Sequence, residues 1–368
     1  MSAERPTVDL RRERLMMRAF QNRLVGPLLR RVASPQDIIT DGMAFWSSRL
    51  ILTAVERGVF TMLAQGPLSA HELVDRLGWH PRAATTALDA LVSGGLLRRD
   101  RAGRYANTLR ASMFLDREKS SYIGGLMELS STRLYDLWSG LDDLLRTGLP
   151  VAEEERGENE FFDVLYRDPV ALKTFLSGMT GISTGEVTLL AARFPWKRFT
   201  TFADVGCAQG ALPVRVALTN PHLRGTGFDL PVVEPIFTDY VKSFGLDDRL
   251  DFVAGDFFTG DLPSADVISF GHVFHGQSHE QRRELVAKAR EALPAGGALI
   301  VYDAMTTSGR SANRYHSLLS SLNIMLETRD GYESTTTDCS DLLRANGFSR
   351  VKVRHLIGPT SMVYGLKH

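Results

Sequence analysis

Three acids mark where this chain could do chemistry: Asp204, Asp229 and Asp256, 25 and 27 positions apart. Each closes an apolar run (TFADVGCAQG, GTGFDLP and DFVAGDFF), and the intervals fit one strand plus one helix. Each acid is then expected at the carboxyl end of a parallel strand, where open α/β sheets bind ligands. Gly206 and Gly210 follow the first run, and a glycine turn lets backbone approach a ligand closely. A carboxylate at the end of the second strand, Asp229, can accept from both ribose hydroxyls. The pattern describes a nucleoside pocket. It lacks the G-x-G-x-x-G of dinucleotide sites, having Gly206-Cys-Ala-Gln-Gly210 instead, which argues against a nicotinamide cofactor.

Three histidines, His272, His275 and His279, cluster downstream. Imidazole suits proton transfer near neutral pH. In a strand predicted over 265–274, faces alternate, so His272 and His275 are expected on opposite sides. His275 lies nearer the carboxyl end, on the side of the crevice. Two acids lie further on. Asp303 ends the next predicted strand, and Glu333 follows the helix after it.

The elements that must position these groups are also legible. Strands are expected at 200–205, 225–229, 250–255, 265–274, 297–303, 350–357 and 361–366, with helices between them, giving an α/β domain with a mostly parallel sheet. Ser278 and Gln281 form a capping box before one helix, which closes near Leu293-Pro294. Residues 40–112 look like a helical module with a small wing. Ser69 and Glu72 cap a helix that stops at Gly78, Pro81 opens the next, and LLRRDRAGRYANT forms a hairpin around Ala102-Gly103. That helix offers only Arg82 to read bases, so no nucleic-acid partner is expected. A helix is expected within 9–31, where seven arginines face two acids. Residues 146–160 read as a polar connection. Phe162, Leu165, Leu172, Phe175, Met179 and Ile182 then line one side of a helical layer.

At 368 residues the chain fits two domains. Equal numbers of basic and acidic residues favour neither nucleic acid nor an anionic membrane. Two cysteines, Cys207 and Cys339, make no disulfide framework or cysteine zinc site. No apolar run reaches the roughly 18 residues of a membrane span, and a cytoplasmic location is expected.

From about residue 40 onward the sequence resembles the class I S-adenosylmethionine-dependent small-molecule O-methyltransferases. These include plant phenolic, acetylserotonin and bacterial natural-product enzymes. The resemblance rests on DVGxxxG at 204–210, FDLP at 228–231, GDFF at 255–258, HVFH at 272–275, EALPAGGALIVYD at 291–303 and DGYESTTTD at 330–338. It implies a Rossmann-like domain with a seven-stranded, mostly parallel sheet over 151–368. A winged-helix-like dimerisation domain over 1–150 would precede it and make a homodimer. The implied cofactor is S-adenosylmethionine, with no metal. Gly206 and Gly210 would pack against its methionine part, supported by Asp204. Asp229, with Leu230 beside it, would hold the ribose. Asp256 and Phe257, after Gly255, would flank the adenine, and Ser183 would touch the carboxylate.

By the same resemblance His275 is the general base, flanked by Asp303 and Glu333. A carboxylate on the imidazole fixes its tautomer and raises its pKa. The acceptor implied is a hydroxylated aromatic small molecule. Phe175, Met179 and Asn323 match its pocket, and Arg133 is a candidate grip for a carboxylate on it. Two departures stand out. His275-Gly276-Gln277 replaces the family's His-Asp-Trp, which opens the loop beside the base, and Gly271 stands where plant members carry lysine. Methylation of an aromatic carbon, or retention of the cofactor for other chemistry, are the alternatives these departures leave.

Overall fold

The computed structural model describes residues 35–119, 121–151, 166–306 and 312–368, with Arg11, Leu15 and Arg18 before them. The helix expected over 9–31, most of the polar connection, and Phe162 and Leu165 lie outside the described residues. Contacts divide the chain into two compact units, Met1–Thr53 and Ala54–His368. The first holds α1 (Pro35–Gly42) and all but the last turn of α2 (Ala44–Glu56), with exposed Ile38, Phe45 and Trp46.

The second unit opens with the winged module. It comprises α3 (Val59–Ala64), α4 (Ala70–Leu77), α5 (Pro81–Ser93), the hairpin β1 (Leu97–Arg99) and β2 (Tyr105–Asn107), and α6 (Leu109–Phe114). The expected capping box starts α4. Ser69 N–H donates to Glu72 at 2.8 Å, and Glu72 N–H donates to Ser69 Oγ at 3.3 Å. Gly78, at φ +64°, stops it. Ala84, Leu88 and Leu91 bury one face of α5. The Tyr105 hydroxyl donates to Asp89 of α5 at 2.7 Å, so the wing is fastened to its own helix.

Next come α7 (Gly124–Leu129), which continues into a π-turn at Ser130–Leu134, α8 (Leu141–Thr147) and the long α9 (Pro169–Arg193). Gly125 and Gly178 mark the crossing of α7 and α9. A Cβ on Gly125 would stand 2.8 Å from the backbone nitrogen of Gly178. Only glycine permits that approach.

The remainder alternates: β3 (Thr201–Val205), α10 (Ala211–Thr219), β4 (Arg224–Asp229), α11 (Glu234–Ser243), β5 (Leu250–Ala254), β6 (Val267–Gly271), α12 (His279–Ala292), β7 (Ala298–Ala304), α13 (Ala312–Glu327), α14 (Thr336–Ala345), β8 (Phe348–Ile357) and β9 (Thr360–Lys367). The sheet order is β5-β4-β3-β6-β7-β9-β8, parallel except where β9 inserts antiparallel between β7 and β8. This is the expected seven-stranded α/β sheet. One core layer joins α9 and α10 to the sheet through Val187, Leu190, Val214 and Phe202, and the other joins α12 and α14 through Leu285, Val286 and Leu343. All seven residues of β7, ALIVYDA, are buried, which is why a central strand reads as an almost unbroken apolar run. Strand order reverses between β3 and β6, and the crevice beyond their carboxyl ends is where this architecture takes ligands. Among the described residues, no helix is long and apolar enough to cross a membrane.

Candidate active site

The first glycine turn leaves β3 at Gly206 (φ +74°) and enters α10 at Gly210 (φ +97°). A Cβ at Gly206 would meet Val273 at 2.7 Å, and one at Gly210 would meet the Phe237 ring at 2.9 Å. Both glycines are thus required by backbone and packing. Between them Ala208 holds φ +49°, and its N–H donates to Asp229 Oδ2 at 2.8 Å. Leu230 N–H donates to Asp229 Oδ1, also at 2.8 Å. An ionised carboxylate has about four lone-pair directions, so two amides leave Asp229 capacity for a diol, and the site fits a ribose. Burial raises the Asp229 carboxyl, and these two amides lower it. Asp204 is buried inside β3 and accepts from the Ser269 hydroxyl at 2.7 Å. Burial pushes its carboxyl up to about 7 against the lowering effect of that bond.

Beyond β5, Asp256 accepts from the N–H of Phe258 at 2.8 Å and the hydroxyl of Thr259 at 3.2 Å. The Lys288 ammonium closes the same turn by donating to the carbonyls of Phe257, Phe258 and Gly260. Gly255 abuts Phe228, where a Cβ would fall 2.5 Å from its ring. Ser183 Oγ donates to the Met179 carbonyl within α9.

The base candidate and its two acids come together. His275 Nδ1 lies 3.0 Å from Asp303 Oδ1 and 3.4 Å from Glu333 Oε1. The His275 backbone N–H donates to Asp303 Oδ2 at 3.1 Å, and its carbonyl accepts from Tyr332 N–H at 2.7 Å. Glu333 is fixed in turn, with Oε1 accepting from Ser320 and its N–H donating to Ser321. His275 Nδ1 and Asp303 Oδ1 are close but misaligned, and neither has a hydrogen bond elsewhere. We therefore treat the contact as a buried ion pair. Burial alone would lower the His275 pKa, but Asp303 and then Glu333 outweigh it and hold the ring up to about 10. Burial would raise Asp303, yet His275 and His272 keep it far below the usual carboxylate range. The short side chain of Asp303 does reach the base.

The expectation for His272 is corrected. β6 ends at Gly271, three residues before the predicted strand end, and His272 takes the left-handed conformation at φ +53°. Strand alternation stops there, so both rings turn toward Asp303. His272 Nδ1 lies 3.3 Å from Asp303 Oδ1, its Nε2 contacts Glu186 Oε1, and the two imidazole centroids are 5.6 Å apart. Glu186 is buried at 2% exposure and was not singled out from the sequence. The available signal was spacing, because Phe175, Met179, Ser183 and Glu186 recur every three or four residues along α9. Donor atoms of His272, His275 and Asp303 lie within 4.8 Å of one another, close enough for a metal. Ligation needs unprotonated nitrogens, and both imidazoles face buried carboxylates that favour their protonated forms, so protons compete with a metal ion for these atoms.

Arg133 and Asn323 meet on one acid. Arg133 Nη1 is 3.0 Å from Glu327 Oε2, and Asn323 Nδ2 donates to Glu327 Oε1 at 2.6 Å while its Oδ1 accepts from Trp138 Nε1. Glu327 and Trp138 are further residues that the sequence reading missed. Phe175 packs against the buried cluster of Leu172, Leu176 and Val233, which Ala208 of the glycine turn also joins. At Gly271 a Cβ would fall 1.9 Å from the Tyr302 ring, which leaves no room for the lysine of plant relatives. A Cβ at Gly276 would meet nothing within 4 Å, so the loop after the base is open.

A glycine turn, a strand-end acid and a clamped imidazole thus stand together at the carboxyl ends of this sheet. Residues 138–349 match the O-methyltransferase domain and residues 42–117 the O-methyltransferase dimerisation domain, and the chain belongs to this O-methyltransferase family. It is 40% identical to the tetracenomycin polyketide synthesis 8-O-methyl transferase TcmO of Streptomyces glaucescens, over 91% of this chain and 98% of that one. It is 36% identical to the N,N-dimethyltransferase OxyT of Streptomyces rimosus, over 86% and 91% of the two chains. A structure of PigF with SAH superposes with a TM-score of 0.78 at 26% identity, covering 90% of this chain and 99% of that one. The cofactor of the family is S-adenosylmethionine.

Proposed function

We propose that the protein methylates a hydroxyl of an aromatic small molecule in natural-product biosynthesis, with His275 taking the acceptor's proton. Bound S-adenosylmethionine supplies an electrophilic methyl group on a sulfonium. Asp229 and Leu230 hold its ribose, Gly206, Gly210, Asp204 and Ser183 its methionine end, and Gly255, Asp256 and Phe257 its adenine. Phe175, Met179, Arg133 and Asn323 line the acceptor side. The similarity to TcmO supports an aromatic polyketide-type acceptor, and the similarity to OxyT favours an amine as the second reading. The dimerisation domain and the exposed Phe45 and Trp46 support a homodimer built by residues 1–150, with catalysis in 151–368.

The observation that carries the proposal is the His275 ring, whose Nδ1 faces Asp303 and Glu333. That leaves Nε2 for the acceptor's proton. A phenol titrates near pH 10, so a ring held up to about 10 exchanges protons with it on nearly even terms. Three carboxyl side chains, Glu186, Asp303 and Glu333, surround the two imidazoles. The sulfonium is the cation the cofactor brings to that site.

His275→Ala is the test. Turnover should fall by about 10²–10⁴ while cofactor affinity, read by calorimetry, stays the same. Turnover close to wild type would remove His275 from the base role.

A further inference from the structure

We propose that His272 is a positioning residue, an imidazolium fixed between Glu186 and Asp303 that weakens the hold of Asp303 on the His275 proton. The inference rests on His275 as the base and names what regulates its proton affinity.

A neutral imidazole has one N–H and can serve one carboxylate. His272 turns Nε2 to Glu186 Oε1 and Nδ1 to Asp303 Oδ1, the second a contact of charges at 3.3 Å and not a hydrogen bond, and a ring held between two buried carboxylates is favoured in its protonated form. The two acids are nearly sealed from water, with Glu186 at 2% and Asp303 at 3% exposure, and burial without a cation is costly for a carboxylate. The left-handed backbone at His272 aims the ring, a conformation that few non-glycine residues adopt. Both imidazoles converge on a single oxygen, Asp303 Oδ1, at 3.3 and 3.0 Å. A cation on that oxygen takes up part of the field that His275 would otherwise feel.

The other groups facing this pair leave the logic intact. From β7, Tyr302 stands edge-on to His272 at 5.7 Å with its phenol pushed well up by burial and by Asp204, Glu186 and Asp303, so it stays neutral. From α14, the Cys339 thiol is buried and likewise raised, under the field of Asp303 and the more distant Arg282. Glu333 acts on His275. His272 is therefore the cation that shares the oxygen with the base.

The test uses His272→Asn, because asparagine tolerates the left-handed backbone, and His272→Asn/Glu186→Gln, which removes the ion pair entirely and avoids a stranded acid. Imidazole protonation of His275 is followed by NMR of histidine-labelled protein from pH 7 to 10.5. The expected result is that the His275 midpoint rises by one pH unit or more in both variants. At pH 9.5 the variant rings stay protonated while the wild-type ring is partly neutral, and kcat/KM at pH 8 drops about tenfold with KM little changed. A merely structural His272 would lower Tm and leave the His275 midpoint in place, and an unchanged or lowered midpoint in the paired variant overturns the proposal. Because NMR reads the ring itself, this outcome is separate from whether His275→Ala abolishes turnover.

Discussion

Replacing Asp303 by asparagine isolates the charge that sets the base. Asparagine keeps the size of the side chain and an oxygen able to accept from the His275 backbone N–H, which now bonds Asp303 Oδ2. It removes a negative charge 3.0 Å from Nδ1. At an effective permittivity near 20, one such pair is worth on the order of 5 kcal/mol, and about 1.4 kcal/mol moves a midpoint by one pH unit. Burial opposes the charged ring throughout, so the loss is uncompensated except by Glu333 at 3.4 Å. The His275 midpoint should fall from about 10 to roughly 7 or below. In the free wild-type enzyme the ring then stays protonated up to pH 9, and kcat/KM should climb roughly tenfold per pH unit from 7 to 9 as the receptive form grows. In Asp303→Asn that rise should move to lower pH. The linked stability has a defined sign. The raised midpoint stabilises the fold fully below about pH 6.5, and this contribution disappears as pH rises through about 10. Histidine NMR with His275→Asn as the assignment control measures the midpoint directly. A wild-type ring titrating near 6.5, or a variant still protonated above pH 9, would falsify the electrostatic account.

Two further outcomes follow from other acids. Asp229→Ala should weaken cofactor binding by at least tenfold in calorimetry, since it strips the ribose acceptor and frees the Ala208 and Leu230 amides that shape the loop; an unchanged affinity would refute the ribose role. Burial pushes the Asp204 carboxyl up to about 7 in the fold, against about 3.9 when unfolded. The unfolded chain therefore ionises first, and the wild type should lose stability on the order of 4 kcal/mol between pH 4 and 7. Asp204→Asn retains an acceptor for Ser269 and should lack that loss, so chemical denaturation at pH 8 should find it no less stable than wild type. A variant less stable by more than about 2 kcal/mol at pH 8 would show that the carboxylate itself is needed.

The inner strands β3, β6 and β7 were legible because strands buried on both faces demand apolar runs, and all seven expected strands end within three residues of the observed ones. The position of Asp229 was legible for a related reason, since it ends its strand as expected, whereas His275 lies in a 3₁₀ turn beyond the end of β6. What escaped the sequence is contact across distance. Glu186 and His272 are 86 positions apart, and nothing local to either announces the other. The left-handed turn at His272 was invisible because period-two reasoning carries a strand through until something breaks it. Gly271 read as a missing lysine. The structure supplies its cause in the Tyr302 ring, which fills the space a side chain would need. Asn323 was matched to a pocket position by resemblance and Arg133 was a candidate grip for a carboxylate, yet only the fold discloses that they share Glu327.

The positions that break local rules are also the ones that meet. An acid sits in the wholly buried strand β7, a histidine adopts a left-handed backbone, and a glutamate lies buried in the apolar helix α9. Taken singly, each is a defect: a buried charge costs several kcal/mol, and a strained backbone costs about 1–3. Together they cancel. Asp303 can remain ionised because two imidazoles face it, and His272 can remain charged because Glu186 and Asp303 flank it. His275 is turned toward Asp303 because a short 3₁₀ turn, Phe274–Gly276, replaces the strand. Removing one member strands the others, so the cluster persists only as a unit. Local violations that compensate one another so closely are expected where a fold gives up stability for chemistry, which is the physical support for proposing the proton-transfer site here and not at the acidic ends of β3 or β4.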